Sequence, residues 1–269
     1  MGAPARGATG TGERVSISTG HAVIEGYEPV RAEGRAPSGP PETAMFRRRS
    51  LQPSRRAVLH LQAAGDPAVP SGLGDWFTQR AFHFYLAELR LPGALATAGG
   101  WALAGGRAAA GRDAGRRLGS AFADLDAACA QLRDADGIGH LIVAAQGRAA
   151  LAVALWSHAR GDVLAGGVAD ALILSEPALP ARPVVNLNIP CPVLVLTGPV
   201  SSGPVRSRPL PSGPWRAGVL RRRPTAAIAR LGSHVTWLQL PEPGGQAVFD
   251  ELGRWLGAYM YGTGRDQLL

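Results

Sequence analysis

Leu141-Ile142-Val143-Ala144-Ala145-Gln146-Gly147-Arg148-Ala149-Ala150-Leu151 is the stretch on which the reading of this chain turns. An apolar run leads into a tight small-residue corner, and an alanine-rich helix former follows. A run of this length and β-branched content reads as a buried strand. Alanine is the best helix former, so the second half reads as a helix that starts at the corner. The segment therefore predicts a strand over 137–146 and a helix over 147–159.

The same alternation extends in both directions. Upstream, Ala57-Val58-Leu59-His60-Leu61-Gln62 reads as a buried strand, with a weaker strand candidate over Thr43–Arg48. A helix over Gly72–Gln79 carries Leu73, Trp76 and Phe77 at helical spacing. Phe82–Leu89 is the next strand. Pro92–Gly119, dominated by Gly, Ala and Arg without a period, reads as a long loop. Ser120–Arg133 repeats Phe122, Leu125, Ala128, Cys129 and Leu132 at amphipathic helix spacing. Downstream, Ala171–Leu174 and Val193–Leu196 are buried strands. Pro199–Pro214 is a loop, Thr225–Leu231 a short helix, His234–Leu240 a strand and Gln246–Tyr261 a terminal amphipathic helix. Strands alternating with helices predict an α/β fold: a mostly parallel sheet flanked by helices on both faces, with ligand chemistry at the carboxyl ends of the strands.

Composition narrows the function classes. With 269 residues and 46% hydrophobic content, a single domain has ample material for a core. No stretch approaches the roughly 18 apolar residues of a membrane span. The first 20 residues lack an apolar h-region, so they are not read as a secretory signal, and a cytoplasmic protein is expected. The net charge of +8 comes entirely from arginine, since the chain contains no lysine. Those arginines are scattered apart from Arg47-Arg48-Arg49 and Arg221-Arg222-Arg223. Without a clustered patch or interleaved stacking aromatics, nucleic-acid binding is not expected. Cys129 and Cys191 lack metal-ligand spacing and are expected as reduced, packed thiols. No grouping of His, Asp and Glu suggests a metal, and no cofactor is expected.

The order and spacing of these segments resemble the α/β-hydrolase family, in particular bacterial serine-aminopeptidase and monoacylglycerol-lipase-like (lysophospholipase-like) hydrolases. AVLHLQAAGDP (57–67) is similar to the family's third strand and oxyanion loop. FADLDAACAQLR (122–133) is similar to the helix before the nucleophile elbow. ADALILSEPAL (169–179) and CPVLVLTG (191–198) are similar to the two strands after it. LGSHVTWLQLP (231–241) and AVFDELGRWLGAYMYG (247–262) are similar to the last strand and helix. The resemblance covers about residues 26–262. It implies an α/β-hydrolase domain over 21–262, between a disordered leader at 1–20 and a tail at 263–269.

The family's chemistry needs Ser, Asp or Glu, and His, in that chain order. Laid on the pattern G-x-S-x-G, the elbow reads Ala144, Ala145, Gln146, Gly147, Arg148, with Gln146 at the serine position. An amide is no acyl-transfer nucleophile. No Asp or Glu lies between Cys191 and Leu240, and no histidine follows His234. The family's His-Gly of the oxyanion loop reads Gln62-Ala63. All three triad positions depart from the pattern, so no catalytic set is intact and a pseudo-enzyme is expected. The runner-up is a weak serine hydrolase with relocated residues.

Other candidates read more simply as structural. Ser175 is a strand-end serine bonded to backbone. Ser157 and His158 are adjacent on a helix and point about 100° apart. His60 and His83 are packed strand residues with one satisfied ring nitrogen, and His234 lies upstream of the expected base. Asp66 and Glu176 are loop carboxylates beside strand ends. The backbone amides of Ala64 and Gly147 occupy the family's oxyanion positions. The resemblance thus implies a site lined by Gln62, Ala63, Ala64, Gln146 and Gly147, open to a small apolar or acyl ligand.

Overall fold

The computed structural model describes residues 24–30, 45–63, 69, 72–91, 110–161, 169–175, 189–197, 235–239 and 246–261. In chain order these form β1 (Glu28–Val30), β2 (Met45–Arg48), β3 (Arg56–Ala63), α1 (Leu73–Thr78), β4 (His83–Leu89) and α2 (Ala110–Asp134). There follow β5 (His140–Gln146), α3 (Gly147–Gly161), β6 (Ala171–Ser175), β7 (Val193–Thr197), β8 (Val235–Gln239) and α4 (Gln246–Tyr261). The expected ends at 1–20 and 263–269, the loop at 199–214 and the short helix at 225–231 lie outside the described residues.

All eight strands join one sheet in the order β1-β2-β4-β3-β5-β6-β7-β8. β1 and β2 are antiparallel; from β4 to β8 every pairing is parallel. Strands β3 to β7 are buried on both faces, which explains runs such as Ala57–Ala63 that never turn polar enough to alternate.

Two cores sit on opposite faces. On one, Leu59, Leu61, Tyr85, Leu141 and Val143 pack against Leu125, Cys129 and Leu132 of α2 and Ala149, Ala150, Val153 and Trp156 of α3. On the other, Val58, Phe84, Leu86, Ile142 and Ile173 pack against Leu73, Trp76 and Phe77 of α1 and Leu252, Trp255 and Leu256 of α4. α1 is too short to persist alone. Its three buried anchors, each stabilising by about 1.5–3 kcal/mol, hold it to the sheet. Gly74 permits that approach, because a Cβ there would collide with Tyr27 and Phe84. α3 is apolar nearly all round, as a helix buried in a core must be. It is tied to α2 by the Trp156 indole N–H, which donates to Asp126 at 2.8 Å, and by Arg160 against the same carboxylate.

Two local expectations need correction. α2 begins at Ala110, ten residues inside the segment read as loop. Glycines 111, 115 and 119 interrupt its apolar period, while its alanines and arginines are strong helix formers. β1 has no signature in the sequence, because three residues bearing Pro29 leave no alternation. Both thiols are free and buried, as expected, and burial pushes each up to about 12, far from a reactive thiolate.

Candidate functional site

β5 runs straight into α3. The strand ends at Gln146 and the helix opens at Gly147. The left-handed backbone of this corner falls on Gly147, at φ 59°. That conformation costs any residue with a Cβ, which is why glycine stands there. The sequence pattern centres one residue earlier, on Gln146, because residue types alone do not reveal where φ changes sign. From Gly137 to Trp156 the chain has no Ser, Thr or Cys, so neither position is flanked by a hydroxyl or thiol.

The register places the neighbours. His60 pairs with Ala144 and Leu61 with Ala145, so one step further sets Gln62 beside Gln146. Gln62 pairs with Glu88 on the other side, and Gln146 pairs with Ser175. Residues level across parallel strands share a face. Glu88, Gln62, Gln146 and Ser175 therefore form one polar row at the carboxyl end of the sheet, on the α1/α4 face. Directly beneath, the level reads Leu86, His60, Ala144, Ile173, apolar except for the histidine. Glu88 carried no signal in the sequence; only register reveals that it shares a row with Gln62.

Gln62 and His60 are 7% and 4% exposed. The Gln62 Oε1 and His60 Nδ1 atoms have no hydrogen-bond partner among the described residues. Burial pulls the His60 imidazole down from 6.5 to about 4, so it is neutral at pH 7. Its ring lies 6.0 Å from that of Phe84. Ala63 differs from its neighbour: its methyl belongs to the α2/α3 core, so only its backbone remains to serve this end. Ala64, Asp66, Glu176 and His234 lie outside the described residues.

His83 is committed elsewhere. His83 Nδ1 accepts from the Ser50 N–H at 3.1 Å, and Nε2 donates to the Ser54 carbonyl at 3.0 Å. Both of its nitrogens are satisfied, where the sequence suggested one. Ser157 is buried against the Cys191 thiol while His158 is half-exposed, so the adjacent pair does point apart. Arginines 47 to 49 face carboxylates: Arg47 meets Glu28 and Asp136, Arg48 meets Asp75, and Arg49 meets Glu28. Among the described residues no group of three His, Cys, Asp or Glu is placed to hold a metal, and no helix is long and apolar enough to cross a membrane.

No family model matches the chain, and no curated protein does. Solved structures do. A fungal esterase from Rhizomucor miehei superposes with a TM-score of 0.53 at 12% identity, over 87% of this chain and 82% of that one. The Francisella virulence factor BioJ superposes with a TM-score of 0.50 at 11% identity, over 86% and 84%. Together with the strand order and the strand-to-helix corner, these likenesses show that the chain has the α/β-hydrolase fold.

Proposed function

We propose that this protein descends from ester- or amide-cleaving α/β-hydrolases, of the serine-aminopeptidase or lysophospholipase-like kind, and no longer hydrolyses. It binds a small apolar or acyl ligand at the carboxyl end of its sheet. The observation that carries this reading is the corner itself. The fold places its nucleophile on the strained residue between strand and helix. By backbone conformation that residue is Gly147, with Gln146 before it, and neither offers a nucleophilic atom. In this register Ala145 and Ala149, both buried, take the outer small-residue places of the five-residue pattern. The missing carboxylate between 191 and 240 and the missing histidine after 234 point the same way. A domain over 21–262 and residence in the cytoplasm belong to the same reading; the two free, buried thiols support the latter.

The experiment is hydrolysis of short acyl esters by the purified protein beside a fluorophosphonate labelling assay. No turnover above buffer and no label are expected. Neither Gln146→Ser nor Gly147→Ser alone should create turnover, because a serine without a base forgoes about 10²–10⁴-fold of assistance. Probe-sensitive turnover by the native chain would refute the reading. One observation favours the alternative of a relocated serine: Ser175 lies level with Gln146 on the adjacent strand. Label mapped to Ser175 would establish that alternative.

A further inference from the structure

We propose that the polar row on the α1/α4 face receives an uncharged hydrogen-bonding head group, a hydroxyl or primary amide on a small apolar body, and turns away the matching carboxylate. This rests on reading the carboxyl end of the sheet as a ligand site, and it specifies which end of the ligand the site holds.

Two side chains more than nine-tenths buried keep unpartnered polar atoms on one face of β3, two residues apart. Leaving a buried polar atom unpaired costs about 1–3 kcal/mol, and native cores keep few such atoms. The Gln62 Oε1 atom accepts only, so it needs an O–H or N–H from its partner. Neutral His60, as its Nδ1–H tautomer, donates. A hydroxyl satisfies both at once, donating to Gln62 and accepting from His60. A primary amide does the same with its two ends. A carboxylate has no hydrogen to give to Gln62 and would also face the Glu88 carboxyl, level with Gln62 on β4. No basic side chain stands in the row to offset that. Arg90 and Arg148, the nearest arginines along the chain, already have partners. Ala144, level with His60 on β5, sets only a methyl beside it.

The test titrates 1-hexanol, hexanamide and hexanoate into the full chain by calorimetry. The ¹⁵N shifts of the His60 ring are followed in parallel. The alcohol and the amide should bind and move the His60 Nδ1 resonance, with hexanoate weaker by about tenfold or more. Gln62→Met keeps the shape and removes the acceptor. It should erase the preference and leave the melting temperature of the free protein equal or higher, since no native bond is lost. Should that variant fail to fold, the His60 shifts in the native chain still decide. Hexanoate binding as tightly as hexanol, no binding by any of the three, or a preference that survives Gln62→Met would overturn the proposal. Fluorophosphonate labelling reports on hydrolysis alone, and hexanoate binding as tightly as hexanol would overturn the head-group preference while leaving ligand binding at this end standing.

Discussion

The two ends of the central strands are built differently. At the amino end, polar side chains are used in structural bonds. The Asp170 carboxylate accepts from the Leu141 N–H and from Arg133, both at 2.7 Å. Tyr85 and Arg47 share Asp136, at 2.8 and 3.2 Å. Arg55 donates to the Gly137 carbonyl, and His83 is bonded at both nitrogens. His140 Nε2 and Arg47 Nε are unpaired there too, but on side chains 24% and 18% exposed. At the carboxyl end, Gln62 and His60 hold unpaired atoms in a fully packed strand. Bonds at the amino end tie loops and helix ends to the sheet, whereas the carboxyl end keeps hydrogen-bonding capacity that the described fold does not consume. In an α/β sheet, the second end is where ligands bind.

The largest expected effect appears in acid, at His60 of the carboxyl end. The His60 imidazole titrates near 4 in the folded protein and near 6.5 when unfolded. Between those values the unfolded chain binds more protons, so stability falls as pH drops below 6.5 and the loss is complete below about 4. The full effect is roughly 3 kcal/mol. His140 is shifted the same way, chiefly by burial, and adds to the slope. Urea unfolding of native chain and His60→Leu across this window should give a shallower pH slope for the variant. Parallel slopes would show that His60 is solvated and the carboxyl end is not special.

A smaller effect is expected at the amino end. Asp170→Ala strands the Leu141 N–H and leaves Arg133 without its carboxylate, which should cost about 1–3 kcal/mol in chemical denaturation at neutral pH. A change under half that range would mean that this end is as unconstrained as the other. The smallest effect is expected for Ser175→Ala, in the polar row. No hydrogen bond of its hydroxyl to a described residue is present, so stability should shift by no more than about 0.5 kcal/mol. A loss above 1 kcal/mol would give Ser175 a structural role and shorten the row to three members.

The contrast between the ends also explains how much of the fold is legible in the sequence. Long apolar strands such as 57–62 and 141–146, and α4, were legible because burial on both faces, or on one stripe, dictates composition. The corner at 146–147 is legible as a corner from its residue types, whereas the left-handed backbone at Gly147 is not, since φ is a property of backbone and not of residue type. Glu88 and Ser175 cannot be joined to Gln62 and Gln146 from sequence, because row members on neighbouring strands are up to 84 residues apart in the chain (Gln62 to Gln146). The start of α2 was hidden by glycines that its alanines outweigh.

One edge of the sheet has a consequence for how the protein behaves in a crowd. β1 is three residues long and carries Pro29 at its centre, opposite Phe46, with Glu28 held by Arg47 and Arg49. Proline has no N–H to offer a passing strand, and an ion-paired glutamate keeps the border hydrated. This border is a poor template for runaway strand addition. The eight-stranded stack is thus blunted on that side by a proline and a cluster of opposite charges, a safeguard that needs neither a covering helix nor a partner subunit.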